Sequence, residues 1–524
     1  MSSTSIKSRL SVLVLVVLAG CGERAHLWDR SLSISGPYEV GSQLMWVDAT
    51  RGLAFSLDPT TARVSSVEIP RNATFAAPSA NQQELLVLTG GQEAIYKGQQ
   101  PEPPTLTIMA PALPPRVVRR YDLPASFDRL AVSEDGKLAV AYHSSSETAS
   151  DVFRNPNEVA LFDLTREEDA TNPMLRTIRS FGGAPLGVAF SPEMAVPPKG
   201  GTKHVLAVVL ADNYLTFLDM KNPDRREITV PLAKPDSAIT VKPDEVLFSA
   251  ATATVFVRAS GSPDLFALSL VAKQSTSAGD NDYLPMINQP SAGKTVGDMI
   301  LFSDGGKDMI LTANDSQDLA LIDAATSEFS IIAVNEPVDT ILAVPAQSPT
   351  LAVVYSRQQP TPRVHFLELK DLAANLEQNL TSRSLARQVH QLVAMPDGQA
   401  LVVHNSSRTV VSVLDIQGEH HTVSPIQGQV SLNSFDFARD THLVGVSPGL
   451  RRLGLLDLSN LLATSVRLDH DPQRVLSVGD AIVVDHGQSQ GLVTIVPSPK
   501  ATRDDCRVLW GFLLSDLMDH ELKD

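Results

Sequence analysis

Short apolar runs separated by turn residues recur along most of the chain. From about residue 75 onward, each repeat opens with a few mainly apolar residues and a turn rich in Ser, Pro, Asp and Gly. Such runs are short for helices and predict β-strands, since Pro, Asp and Gly favour tight turns between them. The clearest openings are Leu130–Gly136, Val188–Pro192, Ile239–Asp244, Ile300–Gly305 and Leu392–Gly398.

The spacing of these openings predicts the architecture. Weaker copies begin at Leu342, Phe435 and Val475, and successive starts lie 40 to 61 residues apart. A second apolar strand and then a third follow in each repeat, which is the content of one four-stranded sheet. The third strand ends in an acid that we interpret as a turn cap. Its copies are Asp163, Asp219, Asp323, Glu368, Asp415 and Asp457.

At these positions the repeats resemble those of bacterial WD-like and YVTN-type β-propellers. The resemblance covers roughly residues 75 to 500 and departs from the eukaryotic WD pattern, because Trp28-Asp29 is the only Trp-Asp pair and precedes the repeats. It implies an all-β fold consisting of a single β-propeller of seven or eight four-stranded blades. Two smaller propellers are the alternative.

The number of blades is harder to predict from the sequence than the fold class. Counting Phe75 and the strand-like stretch from Leu44 to Ile69 gives nine or ten repeats, whereas propellers usually have 4 to 8 blades. We therefore expect some repeats to be half-blades or strands at the rim. An N-terminal strand is expected to complete the last blade, since this removes two exposed edges. Leucines near helical spacing predict a helix within Lys370–Arg387.

The N-terminus has the pattern of an export signal. Lys7 and Arg9 precede an apolar run that is too short to span a bilayer. The run ends in Leu18-Ala19-Gly20-Cys21, which resembles the lipobox of bacterial lipoproteins. That resemblance implies acylation of Cys21, and Gly22 in place of Asp favours a lipid anchor in the bacterial outer membrane. The expected regions are signal peptide 1–20, lipidated tether 21–41, propeller 42–500 and a closing strand or short helix 501–524.

Charge and cysteine content restrict the kinds of partner that we expect for the protein and for its cysteines. Lys and Arg number 43 against 59 for Asp and Glu, a formal charge of -16. This excess of acid argues against a nucleic-acid partner. With Cys21 acylated, Cys506 has no partner cysteine within the chain, and we interpret it as a small buried hydrophobe.

Polar residues that follow the second strands form the most specific candidate site. They occupy equivalent positions in five repeats: His143, Asn314, Ser356, Asn405 and His486. Second strands of a propeller end on one face, so these residues could converge around the central channel as a ligand-binding face. Ordinary turn chemistry is the alternative.

We expect no metal, cofactor or catalytic constellation. In Asp469-His470-Asp471 and Asp485-His486 the potential metal ligands are adjacent, and adjacent strand residues point to opposite faces. Serine-hydrolase elbows, zinc-protease helices and phosphate-binding loops do not occur in the required context.

These observations favour a membrane-anchored lipoprotein whose propeller is a non-enzymatic binding or scaffolding module. Its expected contacts are membrane lipid through acylated Cys21 and a protein or glycan partner at the cell envelope. One alternative is a propeller enzyme, lactonase-like or dependent on a quinone or metal, with its site over the central channel. Another is a scaffold for outer-membrane assembly.

Overall fold

The structure is a computed structural model that describes residues 32–514 with several gaps. The gaps are 95–99, 145–154, 156, 179–184, 234–239, 261, 263, 275–276, 278, 291–294, 315, 386–387, 396–399, 405–410, 415–419, 423–433 and 440. Cys21 and Asn405 therefore lie outside the described residues. Within the described ranges, no helix has the length and apolar character needed to cross a membrane.

The chain folds into ten antiparallel four-stranded sheets, which we number in chain order. The first five sheets and one inserted hairpin have the following strands. Sheet 1 contains β1 (Ile34–Val40), β2 (Gln43–Asp48), β3 (Leu53–Asp58) and β4 (Arg63–Glu68); sheet 2 contains β5 (Ala73–Pro78), β6 (Leu85–Thr89), β7 (Thr105–Ala110) and β8 (Arg116–Asp122); sheet 3 contains β9 (Arg129–Val132), β10 (Leu138–Tyr142), β11 (Glu158–Asp163) and β12 (Met174–Thr177); sheet 4 contains β13 (Gly187–Phe190), β16 (Leu206–Ala211), β17 (Tyr214–Asp219) and β18 (Ile228–Pro231), interrupted by the hairpin of β14 (Met194–Val196) and β15 (Thr202–His204); sheet 5 contains β19 (Lys242–Ser249), β20 (Thr254–Ser260), β21 (Phe266–Ala272) and β22 (Tyr283–Asn288).

The remaining sheets repeat the same order of four consecutive strands. Sheet 6 contains β23 (Val296–Asp304), β24 (Lys307–Asn314), β25 (Ser316–Asp323) and β26 (Phe329–Val338); sheet 7 contains β27 (Thr340–Val344), β28 (Leu351–Tyr355), β29 (Arg363–Glu368) and β30 (Leu380–Ser384); sheet 8 contains β31 (Val389–Ala394), β32 (Ala400–His404), β33 (Val411–Leu414) and β34 (His420–Thr422); sheet 9 contains β35 (Ser434–Ala438), β36 (His442–Val446), β37 (Arg452–Asp457) and β38 (Ala463–Arg467); sheet 10 contains β39 (Arg474–Val478), β40 (Ala481–Asp485), β41 (Leu492–Val496) and β42 (Arg507–Trp510). Short 3-10 turns span Leu372–Ala374 and Arg503–Asp505.

Burial varies across each sheet in a way that the sequence explains. Middle strands such as β16 and β28 are buried along their whole length, because other strands flank them and neighbouring sheets cover both faces. Their sequences are accordingly unbroken apolar runs. The outer strand β12 alternates between half-buried and exposed positions, and the first strand β13 is half-buried throughout.

Each sheet packs against the sheets that precede and follow it in the chain. Phe256 of sheet 5 shares a hydrophobic cluster with Ile310 of sheet 6, so the packing is continuous through the middle of the chain. Phe55 of sheet 1 shares another cluster with Val483 and Ile495 of sheet 10. The succession of packed sheets therefore runs through all ten and returns to the first, which favours one propeller over two smaller ones.

The all-β class and its repeated four-stranded sheets are confirmed, but two details of the expectation need correction. The described sheets number ten instead of seven or eight, because the early repeats at Leu44 and Phe75 each form a full sheet. No described N-terminal strand completes sheet 10, since sheets 1 and 10 each consist of consecutive strands. Side-chain packing joins them instead of shared backbone hydrogen bonds.

The helix predicted within Lys370–Arg387 is also wrong. That segment contains one 3-10 turn and then β30, the outer strand of sheet 7. Leu372 is fully buried and Leu380 packs partly against the same cluster between sheets 6 and 7. The spacing of these leucines therefore reflects a turn and a strand that pack on the same hydrophobic cluster. This spacing resembles the one expected of a helix.

Four of the six recurring acids cap turns, as their repetition indicated, while Asp415 lies outside the described residues. The Asp323 Oδ1 atom accepts hydrogen bonds from the backbone nitrogens of Ala325 and Thr326, at 2.8 and 3.0 Å. Asp163, Asp219 and Asp457 accept a bond from the backbone nitrogen two residues further on in the same way. These carboxylates therefore accept hydrogen bonds from the backbone N–H groups that a tight turn leaves without a backbone acceptor.

Candidate functional site

One end of the sheets collects most of the candidate groups. In each sheet the first strand starts, the second ends and the third starts at this end, which follows from the antiparallel order. First strands of neighbouring sheets contact one another, as β1 does with β5 and β23 with β27. The first strands therefore form the innermost layer, and we call the end where they start the upper face.

The structure places four of the five predicted ligand-binding residues at the upper face, each just after or at the end of a second strand. His143, Asn314, Ser356 and His486 are all buried there. The fifth, Asn405, lies outside the described residues. Their equivalent positions agree with the sequence alignment of the repeats, whereas their convergence around a channel stays a prediction.

The described hydrogen bonds of Ser356 and His486 keep both residues within their own sheets. His486 Nδ1 lies 3.0 Å from the Asp471 carbonyl oxygen, and its Nε2 lies 2.8 Å from the Thr494 hydroxyl. Burial lowers the pKa of His486, although the Asp471 carbonyl opposes this shift. These two residues thus have structural roles in addition to any contact with a ligand.

Packing and hydrogen bonding likewise engage the other two residues. The ring of His143 stacks on Phe127, with centroids 4.8 Å apart. Asn314 Oδ1 accepts a hydrogen bond from the Thr312 hydroxyl at 3.1 Å. These contacts support the alternative that the polar side chains take part in ordinary turn structure. Nearby polar groups at the same end have less complete hydrogen bonding.

A set of charged and polar residues on sheets 5 to 7 lies at the same end, and only one of them, Ser356, was predicted from the sequence. We call it the rim cluster and define it as Glu245, Arg258, Asp298, Asp339, Ser356 and Arg357. Glu245 and Asp298 each follow a β-bulge at the beginning of a first strand. A bulge redirects the side chains beside it, so it allows a charged group within an otherwise apolar strand.

Arg258 connects sheets 5 and 6 within the rim cluster. Its Nε atom donates to Asp244 at 2.9 Å, and its Nη1 atom donates to the Gly297 carbonyl oxygen of the next sheet. Nη1 also lies 3.2 Å from Glu245 Oε2. That oxygen is buried and has no partner in hydrogen-bonding geometry, so the ion pair compensates its burial only in part.

The two inner acids have raised pKa values. Burial raises the pKa of Glu245 to about 7; Arg258 opposes the shift, and the charge of Asp298 adds to it. Burial likewise raises the pKa of Asp298, against the hydrogen bonds that it accepts from backbone nitrogens. One of these comes from Ile341 of sheet 7 at 2.8 Å. Near neutral pH this part of the rim cluster therefore exchanges a proton easily.

Asp339 organises the part of the rim cluster on sheet 7. Its carboxylate accepts hydrogen bonds from the Ser356 hydroxyl and from the backbone nitrogens of Arg357 and Gln358, the last two at 2.9 and 3.0 Å. Burial acts to raise the pKa of Asp339, but these bonds outweigh it and lower the pKa. A charged carboxylate thus fixes the turn that carries Ser356.

Two cavities open between neighbouring sheets at the upper face. One, of about 260 Å³, lies between sheets 1 and 2 and is lined by Ser33, Ile34, Ser35, Tyr38, Ala49, Ala73, Thr74, Phe75 and Ala76. The other, of about 170 Å³, lies between sheets 6 and 7 and is lined by Ser316, Gln317, Pro337, Val338, Ser356 and Gln359. The second adjoins the rim cluster, because Ser356 belongs to both.

A buried polar cluster away from the upper face has a structural role. His204 of the inserted hairpin is fully buried, with Nδ1 2.9 Å from Asp219 Oδ2 and Nε2 3.3 Å from Asp282 Oδ1. These contacts attach the hairpin to sheets 4 and 5. Across the described part of the chain, no group of three or more His, Cys, Asp or Glu side chains is arranged to hold a metal ion.

The rim cluster left a weak signal in the sequence. Glu245 and Asp298 are acids that directly precede the apolar runs of first strands, in Pro243-Asp244-Glu245-Val246 and Gly297-Asp298-Met299. The sequence pattern predicts that the strand opening at Ile239 ends in a Pro-Asp turn, whereas β19 begins at Lys242. An acid placed directly before an apolar run, instead of after it, distinguishes these two residues from the turn caps.

Comparisons with known proteins show a distant likeness to solved structures. No protein-family model and no curated protein matches the chain. Among solved structures, the dihydro-heme d1 dehydrogenase NirN in complex with DHE is 12% identical, with a TM-score of 0.38, covering 74% of this chain and 77% of NirN. A eukaryotic initiation factor is 13% identical, with a TM-score of 0.42, covering 75% of this chain and 87% of that one. Likeness at this level carries no argument about function.

Proposed function

We propose that the protein is a lipoprotein of the bacterial outer membrane whose propeller is a non-enzymatic binding or scaffolding module for a protein or glycan partner. The observation that carries the anchor is the Leu18-Ala19-Gly20-Cys21 sequence after a charged and then apolar leader. Acylation of Cys21 would attach the acidic body to the membrane, since several acyl chains bind a bilayer durably and one chain does not.

The upper face supports the binding role. A rigid scaffold of packed sheets ends there in turns, two cavities and the partly unsatisfied rim cluster. Loops and strand ends on a rigid scaffold commonly carry recognition. We therefore assign the upper face, with His143, Asn314, Ser356 and His486 near its turns, as the surface that meets the partner.

Cys21→Ser tests the anchor. The variant should leave the membrane fraction and appear in the soluble envelope fraction, because serine cannot form the thioether of the lipobox reaction. The chain offers a matched control in Cys506→Ser, which removes its other cysteine and should stay with membranes. Retention of Cys21→Ser in membranes would remove the anchor from the proposal.

Site-specific photocrosslinking in cells tests the binding surface. A crosslinker at Gln317, exposed beside the cavity between sheets 6 and 7, should capture a defined envelope partner. A crosslinker at Ser330, exposed at the opposite end of sheet 6, should not. Equal capture at both positions would exclude the upper face. Capture of a β-barrel assembly complex would identify the scaffold for outer-membrane assembly.

Glu245 supports an enzyme as the second candidate. A carboxyl group with a pKa near 7 is suited to general acid or base catalysis, and Asp298 is close enough to influence it. For the lactonase-like alternative, Glu245 is the candidate acid or base. Hydrolysis of a panel of lactones that is abolished by Glu245→Gln would favour this candidate.

A further inference from the structure

The outer strand of sheet 10 exposes two apolar side chains. Trp510 is 72% exposed, the highest value among the large apolar side chains in the described part of the chain, and Val508 is 43% exposed. Strand residues two positions apart point to the same side, so these two side chains form one patch, which we call the outer patch. Contact with an apolar partner would remove its apolar surface from water, which is favourable.

The outer patch lies on a well-fixed strand at the upper face. Between its two residues, Leu509 points to the other side and packs partly against the cluster between sheets 10 and 1. Trp510 pairs with Leu492, the first residue of the third strand β41. Since third strands start at the upper face, Trp510 lies at that end of sheet 10.

The N-terminal end of the described chain lies beside sheet 10. Ile34, at the start of β1, packs partly against the same cluster as Leu509. Arg474 Nη1, at the start of β39 in sheet 10, donates to the Pro37 carbonyl oxygen of β1 at 3.1 Å. First strands also start at the upper face, so the tether from Cys21 joins the body at the same end as Trp510 and next to sheet 10.

The length of the tether limits how far the body can lie from the membrane. Leu32, the first described residue, follows Cys21 by 11 positions. An extended chain spans at most about 3.6 Å per residue, hence about 40 Å over this distance. A sheet of four strands is only about 14 Å wide from its inner to its outer strand. The outer strand of sheet 10 can therefore reach a bilayer that holds Cys21.

The chemistry of the outer patch favours a membrane surface over a protein. Tryptophan is enriched at the interface between membrane and water, because its ring is apolar while its indole N–H can still form a hydrogen bond. A stable protein interface buries about 800 Å² on each partner, which is more than two side chains provide. Two acids that follow sheet 9, Asp469 and Asp471, are paired with Arg503 and Arg451, so an arginine compensates each of them.

We propose that Val508 and Trp510 insert into the headgroup region of the bilayer that holds acylated Cys21. This inference rests on the proposed lipid anchor and adds a second membrane contact, which fixes the orientation of the body. Sheets 5 to 7, with the rim cluster, lie three or more sheets away from sheet 10 along the succession. They therefore stay accessible to a partner while the outer strand of sheet 10 rests on the membrane.

Quenching of tryptophan fluorescence by brominated lipid tests the proposal. The chain contains Trp28, Trp46 and Trp510. The acylated protein carries Trp28→Phe, which removes the tryptophan of the tether, and Trp46 is only 3% exposed. It is reconstituted in vesicles of phosphatidylethanolamine and phosphatidylglycerol, with or without brominated acyl chains. Brominated lipid should lower the emission by about half, because one of the two remaining tryptophans lies at the interface.

Three variants in the Trp28→Phe background locate the contact. Trp510→Phe should abolish the quenching, since only the buried Trp46 remains. Val508→Asp should reduce the quenching about twofold or more, because a charged side chain enters the bilayer at a cost. Phe329→Asp is the matched control, since Phe329 is 50% exposed on the outer strand of sheet 6, and it should leave the quenching unchanged.

Three results would overturn the inference. The first is emission that brominated lipid does not lower, or lowers equally after Trp510→Phe. The second is an equal effect of Val508→Asp and Phe329→Asp, which would place the contact elsewhere. The third is Trp510 that is shielded from aqueous iodide but not quenched by lipid, because a second copy or another part of the chain would then cover the outer patch.

Failure of the anchor is recognised by a separate measurement. If Cys21→Ser leaves the membrane fraction but Trp510 is not quenched in the acylated protein, the anchor stands and only the docking of sheet 10 is removed. If Cys21→Ser stays in membranes, the anchor fails whatever the fluorescence shows.

Discussion

Two contacts between neighbouring sheets differ in the groups that they bury. One joins sheets 10 and 1, and the other joins sheets 6 and 7. Between sheets 10 and 1, the Phe512 ring meets Trp46 edge-on, with centroids 5.2 Å apart, and Arg51 donates to the Leu513 carbonyl oxygen at 3.0 Å. Between sheets 6 and 7, a cavity remains and Asp298 reaches across to the Ile341 backbone nitrogen. Both contacts contain a large apolar cluster, but the contact between sheets 6 and 7 also retains a cavity and a charged group at its upper end.

We relate this difference to the separate demands of stability and of the proposed binding role. Sheets 1 and 10 contain the two ends of the described chain, so their contact must resist separation without any covalent continuity. A large apolar cluster does this well, because burial of apolar surface stabilises roughly in proportion to area. Sheets 6 and 7 are connected directly through Asp339, so their contact tolerates a cavity at one end.

Phe512→Ala should have the largest effect on stability. Phe512 is almost fully buried in the cluster between sheets 10 and 1, and truncation of a buried Phe costs about 3 to 5 kcal/mol. We expect a loss in this range from urea unfolding monitored by circular dichroism. Under native conditions, crosslinking from Gln317 should be unchanged, because the two contacts are far apart in sheet order.

The control for this change is another phenylalanine in a different environment. Phe329 on the outer strand of sheet 6 is 50% exposed, so Phe329→Ala should cost less than about 1 kcal/mol. Equal losses for the two variants would contradict the special role of the contact between sheets 10 and 1.

The fold was largely predictable because it depends on local patterns that repeat. Apolar runs such as Leu206–Ala211 predict buried strands, and acids such as Asp323 and Asp457 mark the turns. The number of sheets was harder to predict, because the repeats at Leu44 and Phe75 are degenerate and carry no Asp-Gly turn. Only the packing of complete neighbouring sheets shows that each of them forms a full repeat.

The site was less predictable because its properties depend on burial and on contacts between sheets. Alignment of repeats located His143 and His486 at strand ends but could not reveal that both are buried. It also missed Glu245 and Asp298, whose only sequence signal is their position directly before an apolar run. Their raised pKa values follow from burial near each other, and two β-bulges create that arrangement.

Glu245→Gln should have an intermediate effect that depends on pH. Because the folded-state pKa is about 7, above the ordinary value of 4.5, the folded protein holds this proton more tightly than the unfolded chain. The stabilising contribution is complete below about pH 4.5 and is lost as the pH rises through 7. Allowing for partial exposure, wild type should lose about 1 to 2 kcal/mol from this group between pH 5 and 8.

The comparison of variant with wild type isolates that contribution from other titrating groups. The difference in unfolding free energy between Glu245→Gln and wild type should change with pH in this window, in favour of the variant at pH 8. A constant difference over this pH window would mean that the rim cluster does not hold a proton near neutral pH.

Asp323→Ala should have the smallest effect and sharpens the contrast between the two ends of sheet 6. Asp323 caps a turn at the end opposite to the rim cluster, through bonds to the Ala325 and Thr326 backbone nitrogens. Loss of this exposed cap should cost about 0.5 to 1 kcal/mol in urea unfolding, and Asp323→Asn, which keeps one acceptor oxygen, should cost less. Crosslinking through Gln317 should be unchanged in both variants. If Asp323→Ala abolished capture while stability stayed the same, recognition would extend to the opposite end of the sheet, and the acid would be functional as well as structural.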